Sequence, residues 1–179
     1  MALKATKLVI SIILANIIRL FRFIPNNDPI MAMMLPYSKN EKWYKAVIFP
    51  VITMISFDLI TGYTGIWTIV TASTYGVLGA FFCVYYKRKK LVSLKTYVGS
   101  GIFGVLVFDF VTGVLATPLM FGMSFEQAFL GQIPFTLVHL VTVTAFILVI
   151  TPILDKHILS NKNLEDQNVL SLFTSKLRA

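Results

Sequence analysis

Apolar residues fall into long runs along this chain, and polar residues interrupt them at a few placed positions. A helix of about 20 mostly apolar residues is long enough to cross a bilayer. Such runs occupy residues 8–24, 46–63, 66–86, 97–121 and 128–154. A sixth, shorter candidate is "DPIMAMMLPY" at residues 28–37, opened by Asp28 and Pro29. That pair reads as an N-cap followed by proline at the first helical position. At about 1.5 Å per residue this helix alone falls short of the hydrocarbon thickness. It is predicted to be short, buried in protein, or completed by its polar flanks. The pattern predicts an all-α integral membrane protein, a bundle of six transmembrane helices over residues 1–154. A polar tail follows over residues 155–179, in which "NLEDQNVLSLF" is a candidate surface helix and otherwise a solvated end.

Composition strengthens this reading. Mean hydropathy is +0.78. Apolar residues make up 56% and charged residues 13%, whereas soluble domains carry about 25% charged residues. The net charge of +8 does not mark a nucleic-acid face, because the basic residues sit at the ends of apolar runs. With six crossings and a cytoplasmic N-terminus, all but Arg19 and Arg22 of the 16 basic residues lie inside. Five crossings would scatter "YSKNEKWYK" and "KRKK" to opposite sides. The positive-inside rule therefore predicts that both termini are cytoplasmic. The start, "MALKATKLVISIILANIIRL", reads as a retained first helix, since no small-x-small cleavage site follows it. The single cysteine, Cys83, excludes a disulfide within the chain.

This topology gathers the intramembrane polarity near the outer face. "ISFDLITG" ends the third run and "LVFDFVTG" recurs in the fifth, so Phe-Asp-x-x-Thr-Gly appears twice, around Asp58 and Asp109. Carboxylates in a membrane helix cost about 2.5–3.5 kcal/mol at its centre and usually face the bundle interior or a watery cavity. Two readings stand. Arg19 or Arg22 neutralises Asp58 or Asp109 and locks the helices together, or these groups line an outward-facing pocket. Depth alone adds Asn27, Trp67, Gln132 and His139 to the candidate substrate-binding set of Asp58, Asp109 and Arg19. Trp67 could stack on a flat ring but reads more readily as an interfacial anchor. His139 has no second histidine or cysteine at ligand spacing, so no metal site is predicted. Catalytic signatures and phosphate-binding glycine loops are missing, which predicts a protein that is not an enzyme; proton sharing by Asp58 and Asp109 is the one catalytic alternative. Small residues four apart, Ser11 with Ala15, Gly76 with Ala80 and Ser100 with Gly104, predict close helix contacts.

With "NNDPIMAMMLPY" after the first helix, "FPVITMISFDLITG" in the third and "GQIPFTLVHL" opening the last, the chain resembles the S components of energy-coupling factor transporters. These are the substrate-capture subunits of vitamin importers. The resemblance implies a six-helix bundle in the cell membrane with an outer pocket for a vitamin or related small molecule, and no cofactor. It further implies docking through helices 1 to 3 onto a membrane coupling subunit that joins a pair of cytoplasmic ATPases. Many members carry Ala-x-x-x-Ala on helix 1 for docking; here the corresponding pair is Ser11 and Ala15. The alternative is a structural subunit that scaffolds a larger membrane assembly and binds no ligand.

Overall fold

A computed structural model of the chain describes residues 5–21 and 26–160. It contains six helices and, among the described residues, no strand. They are α1 (Thr6–Phe21), α2 (Ile30–Asn40), α3 (Trp43–Thr61), α4 (Ile66–Lys87), α5 (Leu94–Phe121) and α6 (Phe125–Leu159). Helices α3 to α6 are each long and apolar enough to cross a membrane, whereas α1 and α2 are shorter. Residues 22–24 of the first apolar run, including Arg22, lie outside the described residues, as does the candidate tail helix.

The shortest helix is the centre of the bundle. Every residue of α2 from Ile30 to Ser38 is buried, and α2 packs against all five other helices. A helix that is apolar on every side can be stable only if every side is covered. Of the three options open to residues 28–37, the fold selects burial in protein. Asp28 does cap this helix: its Oδ1 accepts from the Ile30 amide at 3.0 Å.

Prolines inside helices leave carbonyls without a donor, and in a membrane these must be matched within the protein. Pro36 of α2 cannot donate to the Ala32 carbonyl, so Thr151 of α6 does, at 2.7 Å. Pro50 of α3 likewise leaves the Ala46 carbonyl, and Gly79 of α4 packs directly onto it. A Cβ at Gly79 would collide with that oxygen. Gly76 meets Val47 and Val51 of α3, and Gly104 meets Met31 of α2.

Two expectations are corrected. Ser11 and Ala15 are 0% exposed, and Ser11 Oγ accepts from the Tyr37 hydroxyl of α2 at 2.9 Å. The small face of α1 is therefore an internal packing contact, not an outward docking surface. The helical domain also extends beyond residue 154. Its last turns run on to Leu159, and both Leu154 and Leu159 are buried. Asp155 is not the start of a free tail but an anchor, receiving Lys39 at 2.7 Å, Asn40 at 2.6 Å and Tyr97 at 3.1 Å. A lone polar residue reads as a boundary only when its partners on other helices are out of view.

Candidate functional site

The short central helix creates the site. The 11 residues of α2 span about 16 Å, half the length of the 22-residue α4 beside it. Longer helices rise past the N-terminus of α2 and enclose the space that α2 does not fill. The result is a cavity of about 700 Å³. Arg19 enters it from the end of α1, and Asn26, Asn27 and Asp28 from the segment before α2. Met54 and Phe57 come from α3, Trp67 and Thr71 from α4. Phe108, Thr112, Gly113 and Thr117 come from α5; Gln132, Phe135 and His139 from α6.

Five of the seven residues predicted for the site line this cavity: Arg19, Asn27, Trp67, Gln132 and His139. Asp58 and Asp109 do not. In both copies of Phe-Asp-x-x-Thr-Gly the phenylalanine faces the cavity and the aspartate is turned away. One step along a helix rotates a side chain by about 100°, which carries each aspartate away from the face its phenylalanine presents. Asp58 Oδ2 instead accepts from Thr68 Oγ at 2.5 Å, tying α3 to α4. Asp109 is 1% exposed and lies behind the cavity wall. Its Oδ2 accepts from Thr136 Oγ at 2.8 Å, and its Oδ1 lies 2.8 Å from His139 Nδ1. The two carboxylates thus bond to separate helix pairs, Asp58 joining α3 to α4 and Asp109 joining α5 to α6.

The copies also differ in backbone. The first ends α3 at Gly62, which takes a left-handed φ of +77°. The second does not stop. Phe110–Ala116 continues as a π-helical segment, and Thr117 Oγ donates to the Thr112 carbonyl at 2.9 Å, five residues back. Widened turns of this kind occur often at functional sites. Here Thr112, Gly113 and Thr117 all face the cavity. Gly113 leaves room for close approach: the Gln132 side chain fills the place a Cβ would take and would have to shift to admit one.

The expected pairing of Arg19 with Asp58 or Asp109 is absent. The Arg19 guanidinium lies over the Phe57 ring, 3.9 Å from its centroid, and Nη1 points to Met54 Sδ at 3.2 Å. Among the described residues it makes no ion pair. Asp28 lines the cavity, but its Oδ2 accepts from the Tyr75 hydroxyl at 2.6 Å and its Oδ1 is taken by the α2 cap. Asn27 donates to the Ile18 carbonyl at 2.6 Å, and Asn26 to the Phe135 carbonyl at 3.2 Å. Gln132 donates to Thr136 Oγ at 3.3 Å. His139 is 3% exposed and its Nε2 has no partner. Trp67 is half-buried at the mouth, its ring 6.1 Å from that of Phe121.

Sequence reasoning missed the aromatic walls Phe57, Phe108 and Phe135, along with Asp28 as a lining group. The repeat itself carried a signal, since its phenylalanine recurs as faithfully as its aspartate. Phenylalanine is unremarkable in a membrane helix, so its recurrence does not stand out beside a repeated charge. The arrangement offers ring faces, a guanidinium and an imidazole along one recess, which suits binding of a small polar molecule. Compared with known proteins, the chain matches no family model, no curated protein and no solved structure.

Proposed function

We propose that this chain is the substrate-binding subunit of an importer of the energy-coupling factor type, capturing a vitamin-like small molecule from outside the cell. The observation that carries the proposal is the cavity over the N-terminus of α2: a recess of about 700 Å³ with convergent polar groups, set in an otherwise apolar bundle. A protein that only scaffolds other subunits has no need of such a space, which a few larger side chains would fill. The layout of the helices and the Pro-containing second helix add the resemblance to S components. In this reading the membrane coupling subunit and its ATPase pair supply the energy. Because Ser11 and Ala15 are buried, the coupling subunit meets α1 through its outward stripe, which includes Ile13 and Ile17.

Thermal unfolding of the purified chain with a panel of vitamins, nucleobases and related metabolites tests the capture reading. A true ligand at 100 times its dissociation constant adds about 2.7 kcal/mol and raises the melting temperature accordingly. If no member of the panel shifts the transition, the scaffolding alternative takes its place.

A further inference from the structure

The chemistry of the lining narrows what the cavity takes. We propose that its ligand is a flat aromatic molecule carrying one anionic group, a carboxylate or its equivalent, with the anion on Arg19 and the ring edge at His139. This rests on the capture reading and specifies its substrate class.

Three observations converge. The first is the walls. Phe57, Trp67, Phe108 and Phe135 come from four different helices and line one recess. Ring faces gathered in this way favour a planar guest, which stacks or meets them edge to face.

The second is charge. Arg19 and Asp28 are the ionised side chains among the lining residues, His139 aside. Asp28 has both oxygens occupied, by the Ile30 amide and the Tyr75 hydroxyl. Arg19 has only a thioether sulfur and an aromatic face. Guanidinium carries five donors in a planar fork, and neither contact neutralises its charge. Without a direct ion pair among the described residues, Arg19 keeps its donors for an anionic ligand. A cationic ligand would face the guanidinium, and the oxygens of Asp28 are already engaged by the chain's own donors.

The third is His139. Asp109 orients the ring through Nδ1, and Thr136 holds Asp109 in turn. His139 lines the cavity, and among the described residues its Nε2 is buried and without a hydrogen-bond partner. Buried polar atoms are almost always satisfied, and no described residue completes the set here. A heteroatom on the edge of the ligand ring does so.

The test uses the full chain in lipid nanodiscs and matched probes that differ only in charge. Acid, amide and amine sets are built on three rings: benzoate, benzamide and benzylamine; the naphthalene-1-acetic series; and indole-3-acetate, indole-3-acetamide and tryptamine. Acids are expected to bind about tenfold more tightly than the amides, the scale of one charge-assisted hydrogen bond, and the amines more weakly still. Arg19→Gln should erase the preference for acids, and Arg19→Lys should restore part of it. Indole-3-acetate should bind more tightly than naphthalene-1-acetate, which has no ring heteroatom for His139. Amides or amines that bind as well as the acids overturn the proposal, as does a preference that survives in Arg19→Gln. Binding by none of the sets also overturns it. The metabolite panel decides the capture reading separately, since a neutral or non-aromatic hit there keeps capture and removes only this specificity.

Discussion

Asp58 and Asp109 hold the same place in the same six-residue frame, yet they sit in different electrostatic surroundings. Asp58 is half-buried and accepts one hydroxyl. Asp109 is buried, with both oxygens engaged by α6. Replacing each by asparagine should therefore give unequal losses. Asp109→Asn is expected to cost about 1.5–3 kcal/mol, because hydrogen bonds to a charged acceptor are weakened and His139 loses its orienting partner. Asp58→Asn should cost less than about 1.5 kcal/mol. Chemical unfolding of both variants in detergent checks this, and equal losses would show that burial does not separate the two sites. The frame was legible in the sequence, but the direction of its aspartates was not. Residues on both sides of each helix are apolar, so no periodicity marks which face is turned inward. Arg19 shows the same limit. Its depth could be read from topology, whereas its choice of Phe57 and Met54 over an acid depends on where other helices stand.

The helices themselves were largely legible, because bilayer thickness imposes a length that hydropathy reveals. What hydropathy could not reveal is which helix lies inside. Lipid and protein interior are alike apolar, so α2, buried on every side, reads like a span that faces lipid. Its internal proline, Pro36, is the better clue, since the carbonyl it frees needs a donor from a neighbour. The Ala32 carbonyl and Thr151 give a direct measure of that coupling. Thr151→Val removes the donor and should cost about 1–3 kcal/mol, the penalty of an unsatisfied buried acceptor. Pro36→Ala restores an amide one turn away that can bond to the same carbonyl. In a double-mutant cycle, Thr151→Val should therefore cost markedly less in the Pro36→Ala background. Strict additivity would mean that the hydroxyl does not serve the carbonyl that proline exposes. The π-helical segment of α5 was invisible from sequence for a related reason. Its wider turn is held by Thr117 and by the close approach of Gln132 to Gly113, neither of which alters the apolar run.

Across the whole molecule, most of the basic charge lies at the end opposite the cavity. Arg19, Asp28, Asp58, Asp109 and Glu126 belong to the end that holds the cavity. The other end carries Lys39, Lys42, Lys45, the run from Lys87 to Lys90, Lys95 and Lys156. Basic residues flanking membrane helices are retained on the cytoplasmic side, so this asymmetry predicts a recess that opens outward. That orientation is what capture from outside requires, and it can be measured without knowing the ligand. The native Cys83 is 1% exposed and should give little background with a thiol reagent. Tyr63, 73% exposed, lies in the turn between α3 and α4 at the cavity end; Leu91, 86% exposed, follows α4 at the basic end. A membrane-impermeant maleimide should label Tyr63→Cys in intact cells and Leu91→Cys only after permeabilisation. The reverse pattern would turn the cavity toward the cytoplasm. The basic end would then face outward against the charge rule, and a recess open to the inside could not take up its ligand from outside the cell.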